Sequence, residues 1–183
     1  KARKTKKISK SPTLKDRKQI YRGRVIDLWV ERITLPNEKQ MSLELVHHPG
    51  GAAIVALDDQ SNVCLLRQYR HAAGGYIYEL PAGKIDDSEP PIDTAQRELR
   101  EEAGMQAADW QTLGRMYSSP GFCDEIIHLY LARDLTPVPV EHEEHEIIEV
   151  EWVAFDEAMD RAASGNINDA KSVTALFRAS RLL

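Results

Sequence analysis

Three glutamates in the segment RELREE, namely Glu98, Glu101 and Glu102, could together bind a divalent cation. On a helix, Glu98 and Glu102 are four residues apart and share one face, and Glu101 flanks them. Like charges at this spacing destabilise a helix, and the helix dipole also disfavours anions near the C-terminus. A cation would reverse both effects, and Mg²⁺ is commonly held by carboxylates together with substrate phosphates. The alternative is a solvated acidic face that pairs with Arg97 and Arg100.

The residues around these glutamates have the pattern of a helix over positions 91–103. Its apolar positions recur at helical spacing and form one stripe, which consists of Ile92, Ala95, Leu99 and Ala103. Pro91 suits the first position of a helix, and Gly104 suits the left-handed residue just beyond its end. The sequence therefore predicts a helix that buries its apolar stripe and carries the glutamates.

Residues 83–105 resemble the signature of the Nudix hydrolases, G-x5-E-x7-R-E-U-x-E-E-x-G-U, in which U is apolar. Every defined position of this box is met, by Gly83, Glu89, Arg97, Glu98, Leu99, Glu101, Glu102, Gly104 and Met105. The resemblance implies that Glu89 ties the loop to the helix. It also implies that Gly83 and Gly104 supply backbone freedom.

The resemblance also implies a metal site and an activity. Glu98 and Glu102 would be the principal metal ligands, with Glu101 assisting, and Arg97 would orient a box glutamate by a charge-assisted hydrogen bond. Arg97 and Glu101 are therefore counted among the catalytic residues. Nudix enzymes hydrolyse nucleoside diphosphates linked to another group, and they use Mg²⁺ or Mn²⁺. We expect two or three such ions, and a small-molecule nucleoside diphosphate sugar as the substrate.

Features outside the box are similar to the ADP-ribose pyrophosphatase branch, whose products are AMP and ribose 5-phosphate. These features are the stretches LLRQYR, YELPAGKI and NDAKSVTAL and a proline sixteen residues beyond Gly104. That proline, Pro120, is expected near the substrate. The branch implies that the backbone carbonyl of Ala82 is a metal ligand. It further implies Glu144 as the general base and Glu146 as another metal ligand, although the two glutamates could exchange these roles.

Candidate substrate-binding residues come from two parts of the chain. Arg67 and Arg70 leave a strand end next to the box and suit bidentate contacts to phosphate, although both could equally be ordinary surface charge. Glu79 is placed with them. Enzymes of this branch are commonly homodimers that exchange N-terminal strands and stack aromatic side chains on adenine. Tyr21 and Trp29 are the candidates for that stacking, and core packing is the alternative for Trp29.

The elements that must position these residues are mostly strands in the first half and helices in the second. Strands are predicted within 19–50, 52–57, 63–70, 74–83, 126–132 and 147–155, and helices over 91–103, 156–164 and 168–183. Asp156, and either Asn168 or Asp169, are the predicted helix caps. This order predicts an α+β fold. The resemblance implies an α/β/α sandwich around a mixed sheet, with a small N-terminal β element that serves in dimerisation.

Composition limits the remaining classes. The net charge is −5, yet residues 1–24 hold 11 of the 24 lysines and arginines and one acid, Asp16. The strongly acidic remainder would repel a phosphate backbone, which argues against nucleic-acid binding. No apolar run is long enough to cross a membrane, and the few cysteines favour a reducing cytoplasm. The predicted organisation is a basic tail over 1–18, a β element over 19–50 and a Nudix domain over 51–183.

Two other functions stay open from the sequence. One is hydrolysis of another sugar nucleotide, such as GDP-mannose, because specificity depends on loops that the sequence does not place. The other is a non-catalytic domain that binds ADP-ribose to regulate a partner. Such domains commonly lose box residues, whereas this box retains all its carboxylates.

Overall fold

The computed structural model describes residues 11–86, 89–140 and 147–183. The chain divides into two compact units. The first comprises the chain up to His48 together with Ser119–Glu125, and the second comprises Pro49–Ser118 with Ile126–Leu183. Among the described residues, no helix is both long and apolar enough to cross a membrane.

The first unit contains an antiparallel sheet of three strands in the order β1-β2-β3. These strands are β1 (Thr13–Arg22), β2 (Asp27–Thr34) and β3 (Gln40–His47). The predicted tail over 1–18 is wrong in its last part, because β1 already pairs with β2 from Thr13 onward. Every residue of β1 is exposed. The sequence of this strand therefore lacks the alternation of apolar and polar residues by which a half-buried strand is recognised.

The described residues of the second unit form seven strands in two sheets, in the orders β7-β4-β9-β8 and β10-β5-β6. The strands are β4 (Gly51–Ala56), β5 (Asn62–Arg70), β6 (Gly75–Glu79), β7 (Ala82–Lys84), β8 (Met105–Tyr117), β9 (Ile126–Pro137) and β10 (Ile148–Ala154). Strands β4 and β9 pair in parallel, while the other pairs are antiparallel, so the predicted mixed sheet is confirmed. Strand β8 was not predicted, because most of its side chains are exposed and it lacks an apolar pattern.

In the described part of the second unit, three α-helices accompany the sheets, namely α1 (Pro91–Ala103), α2 (Phe155–Ser164) and α3 (Ala170–Ala179). Helix α1 begins at Pro91 and ends before Gly104, whose φ of 63° lies in the left-handed region, as the sequence predicts. Asp169 caps α3 by accepting a hydrogen bond from the Ser172 N–H. The predicted cap Asp156 is wrong, because it lies inside the first turn of α2.

The sheets separate two apolar layers, because neighbouring residues of a strand point to opposite faces. On one face, Ile54, Cys64 and Leu66 pack with the apolar stripe of α1. On the other face, Val55 and Leu65 pack with buried residues of α2 and α3. The predicted α/β/α sandwich is thus confirmed. Helix α1 is held against the strands by its apolar stripe, and Glu98 and Glu102 lie beside β7, which is an edge strand.

Both cysteines are free thiols. Burial, and secondly the charge of Glu102, raise the pKa of Cys64 to about 12. The thiolate form of Cys64 is therefore strongly disfavoured at neutral pH, and this cysteine serves as an apolar core residue.

Candidate active site

A cavity of about 250 Å³ in the second unit is formed by the end of β5, strand β7 and the polar side of α1. Its lining residues are Gln68, Arg70, Ala82, Gly83, Lys84, Asp86, Arg97, Glu98 and Glu102. A larger cavity, of about 450 Å³, also borders α1 near Arg100 and Trp110, but none of the box glutamates lines it. The smaller cavity is therefore the one that brings together the predicted metal ligands Ala82, Glu98 and Glu102.

Two carboxylates of α1 are buried in the wall of this cavity. Glu98 is 7% exposed and Glu102 is 2% exposed. Glu102 Oε2 accepts a hydrogen bond from the Ala82 N–H at 2.8 Å, and Glu98 Oε1 accepts one from Arg97 Nη1 at 2.7 Å. Buried carboxylates are costly unless positive charge or donors compensate them. The solvated acidic face is therefore wrong for these two residues.

Gly83 is required for close approach rather than for backbone freedom. Its φ is not among the positive ones, so the predicted role of conformational freedom is wrong. A Cβ atom at this position would lie 1.8 Å from Glu98 Oε1 and 2.0 Å from its Cδ. The Glu98 carboxylate thus occupies the space above β7 that a side chain at position 83 would fill.

Replacement of Gly83 by alanine should therefore displace Glu98 and lower kcat/KM by roughly 10²-fold, the cost of about 1 Å of misplacement in an active site. The matched control is Gly75→Ala, because a Cβ there meets nothing within 4 Å. Initial rates on the proposed substrate test this. Equal rates for the two variants would show that the Glu98 position does not matter.

Arg97 connects the loop before α1 to the glutamates. Its Nη1 donates to Glu98 Oε1 at 2.7 Å and to Glu101 Oε2 at 3.0 Å, while its Nε and Nη2 donate to Glu89 at 3.4 and 3.3 Å. Burial lowers the pKa of Arg97, but the hydrogen bonds that Arg97 donates to Glu89 and the nearby glutamate charges outweigh it and raise the pKa. The guanidinium thus stays charged, and it has the contacts expected of a residue that orients box glutamates.

Glu101 differs from the other two glutamates of α1. Its side chain is 33% exposed, and it is absent from the lining of the cavity. Its described contact is the hydrogen bond from Arg97 Nη1. The predicted assisting role is compatible with this position at the margin of the site, and it stays a prediction.

The donor atoms at this site fit a hard divalent cation, because buried carboxylate oxygens are the ligands that Mg²⁺ prefers. The predicted ligands Ala82, Glu98 and Glu102 all line the same cavity. Within residues 11–86, 89–140 and 147–183, however, no three histidine, cysteine or acidic side chains are grouped as a metal site. Glu144 and Glu146 lie outside the described residues.

The two candidate arginines of β5 are separated by strand alternation. Arg70 lines the cavity, and its Nε donates to Glu79 Oε1 at 2.7 Å. Arg67 belongs to the other face, where its Nη1 donates to both oxygens of Glu149 at 3.0 Å and its guanidinium lies 4.1 Å from the Tyr76 ring centroid. The structure therefore brings Arg70, and not Arg67, to the glutamates.

Glu79 is a buried anchor beside the cavity. It is 1% exposed, and it accepts hydrogen bonds from Arg70 Nε and, at 2.5 Å, from Lys171 Nζ. Lys171 also donates to Asp169 at 2.9 Å. Glu79 therefore would act on a substrate through Arg70. Lys171 lies within the stretch NDAKSVTAL, which the sequence singled out as a whole without identifying this lysine.

Tyr21, Trp29 and Pro120 belong to the first unit. Tyr21 is 59% exposed, as is expected of an aromatic side chain available for stacking. Trp29 is partly buried in β2, with the His47 ring edge-on at 6.1 Å and the Arg17 guanidinium 4.7 Å from its ring centroid. Pro120 is an exposed turn residue. Their predicted contacts with a substrate stay predictions.

Comparison with known proteins identifies the relatives of this site. Residues 47–176 match the model of the NUDIX domain. The chain is 40% identical over 162 residues to the ADP-ribose pyrophosphatase of Bacillus subtilis, which covers 87% of this chain and 88% of that protein. It is 37% identical over 172 residues to the methanol dehydrogenase activator of Bacillus methanolicus, covering 93% of this chain and 92% of the other. A solved ADP compounds hydrolase shares the fold, with a TM-score of 0.82, 24% identity and 95% coverage of both chains.

Proposed function

This chain belongs to the NUDIX domain family, and from that premise we propose that it hydrolyses the diphosphate of ADP-ribose to AMP and ribose 5-phosphate. The observation that carries the proposal is the buried pair Glu98 and Glu102 facing the same cavity as Arg70. Carboxylates that hold cations and an arginine that binds phosphate form the two halves of a diphosphate site. The similarity to the Bacillus subtilis enzyme supports ADP-ribose as the substrate.

We propose Mg²⁺ as the cofactor, with Mn²⁺ as an alternative and two or three ions in total. Glu98, Glu102 and the Ala82 carbonyl would hold them, with Glu101 and Glu146 completing the set. A bound ion would supply neutralisation of the phosphate charge and a lowered pKa for a water molecule. The chain's own contribution is to hold these oxygen atoms in place through α1, β7 and Arg97.

Substrate binding, orientation and proton transfer would be carried out by side chains of the protein. Arg70 would bind the diphosphate and hold it against the glutamates, since a guanidinium matches phosphate oxygens in pairs. Arg97 would hold Glu98 and Glu101 in place through the hydrogen bonds that it donates to their carboxylates. Glu144 would accept the proton of the water that attacks one phosphorus, as a general base. Tyr21 and Trp29 would stack on adenine in a homodimer, and the protein would act in the cytoplasm.

The test of this function is a substrate panel with Mg²⁺. ADP-ribose, ADP-glucose and GDP-mannose are compared by kcat/KM, and the reaction in ¹⁸O-water identifies the phosphorus that receives the oxygen. We expect ADP-ribose to be preferred and a chelator to abolish turnover. A preference for GDP-mannose of about tenfold, close to 1.4 kcal/mol, would overturn the substrate assignment.

A second candidate function is the regulation of a partner enzyme, and one specific observation favours it. A relative covering 93% of this chain is named as an activator of methanol dehydrogenase. In this case the domain would bind its nucleotide without hydrolysing it. Absence of AMP release at millimolar Mg²⁺, with ADP-ribose still bound, would favour this function over the first.

The separation of the two arginines gives a further prediction. Arg70→Ala should raise KM for ADP-ribose by roughly 10- to 100-fold, because it removes a charge-assisted contact to phosphate. Arg67→Ala is the matched control from the same strand, and it should change KM by less than about threefold, as expected for an exposed ion pair. Steady-state kinetics on both variants decide this. Equal effects would mean that the face of β5 does not determine phosphate binding.

A further inference from the structure

We propose that Gln68 is a specificity-determining residue whose side-chain carbonyl accepts a hydrogen bond from a hydroxyl group of the terminal sugar. The inference deepens the proposed function and rests on it. Gln68 was not among the residues that the sequence singled out for chemistry, although it lies within the stretch LLRQYR.

Gln68 is a buried polar residue whose side-chain acceptor has no partner among the described residues. It is 6% exposed, and its Oε1 is fully buried without a hydrogen-bond partner in the part of the chain that the structure describes. Buried side-chain acceptors are almost always hydrogen-bonded in folded proteins. An unpaired one that lines a cavity therefore indicates a donor supplied by the occupant.

Strand register explains where Gln68 points and why the described strands beside it offer its side chain no partner. Gln68 and Arg70 are two residues apart on β5, so both side chains share the face that lines the cavity. The residues opposite Gln68 are Ile148 on β10 and Ile77 on β6, and neither side chain carries a hydrogen-bond donor. The side-chain carbonyl of Gln68 is thus a neutral acceptor in a charged cavity, where a ligand can donate a hydrogen bond to it.

The chemistry of the cavity indicates which donor that is. A diphosphate presents only acceptor oxygens, so it is matched by Arg70 and not by a carbonyl. Cations prefer the carboxylates of Glu98 and Glu102, which lie in the same wall. An adenine ring would require an aromatic or apolar surface, and no aromatic residue is found among the described residues that line this cavity. The donors that remain are the hydroxyl groups of the two sugars. Because the described lining offers no aromatic surface to adenine, we assign the cavity to the sugar beyond the diphosphate and not to the ribose that carries the base.

The experiment compares two substrates that differ only beyond the diphosphate. ADP-ribose carries the terminal sugar, whereas the β-methyl ester of ADP carries a methyl group in its place, and both release AMP on hydrolysis. The measured quantity is the ratio of kcat/KM for ADP-ribose to kcat/KM for the methyl ester. The variants are Gln68→Met, which keeps the size and removes the amide, and Gln68→Glu, which keeps an acceptor. Gln60→Met is the control, at an exposed glutamine in the turn before β5.

We expect the ratio to fall by about 10- to 100-fold in Gln68→Met, the loss of one hydrogen bond to a buried acceptor. It should stay at the wild-type value in Gln60→Met, and Gln68→Glu should keep a higher ratio than Gln68→Met. An unchanged ratio in Gln68→Met would overturn the inference, because the residue would then act on the diphosphate or the adenosine. Wild-type protein that hydrolyses neither substrate would instead overturn the proposed function.

Discussion

Glu102→Gln should lower kcat by about 10³-fold, which corresponds to about 4 kcal/mol of transition-state stabilisation. Glu102 is 2% exposed, lines the cavity and is fixed by the Ala82 N–H, so its carboxylate cannot be replaced by a neighbour. The amide has nearly the same shape but carries no charge, and it is a poor ligand for Mg²⁺. The loss should therefore affect catalysis and metal dependence together.

The measurement is kcat as a function of Mg²⁺ concentration for the wild type and the variant. We expect the half-saturating Mg²⁺ concentration to rise together with the fall in kcat. Glu157→Gln is the control, because Glu157 lies on α2 and pairs with Arg161. If Glu102→Gln retained wild-type metal dependence, Glu102 would not be a ligand, whatever its effect on rate. Thermal unfolding of both variants separates this effect from loss of structure.

Glu144→Gln should lower kcat by roughly 10²- to 10⁴-fold, the usual contribution of a general base. Metal dependence should change little, since this residue is proposed to accept a proton and not to hold an ion. Glu144 lies outside the described residues, so the prediction rests on the resemblance of the segment EHEEHEIIEVEW to the family. Steady-state kinetics over a range of Mg²⁺ concentrations provide the test.

Glu146→Gln is the companion variant that makes this prediction decisive. As a proposed additional metal ligand, Glu146 should show a raised half-saturating Mg²⁺ concentration when its charge is removed. If instead Glu146→Gln lowers kcat at unchanged metal dependence, the two roles are exchanged. Recovery of activity at high pH in only one of the variants would also distinguish them, because hydroxide partly replaces a missing base.

The local elements were predictable because their causes are local. Helix α1 was recognised from its apolar stripe, and its ends from Pro91 and Gly104, since each depends on a few neighbouring residues. The cap of α3 was predicted as either Asn168 or Asp169, and the structure shows that it is Asp169. Strand β8 was missed because its pairing with β9, and not its own pattern, makes it a strand. Strand β1 begins before the predicted residue 19, because its pairing with β2, and not its own pattern, makes it a strand.

By itself, the sequence determined the box, the order of its carboxylates and the helix that carries them. The tertiary structure decided which candidates meet. Alternation on β5 separates Arg70 from Arg67, and Gln68 lies on the cavity side because its position relative to Arg70 fixes its face. Lys171 reaches Glu79 across 92 residues of chain, and Gly83 leaves room for Glu98. These relations depend on packing between distant segments, and spacing along a chain does not contain that information.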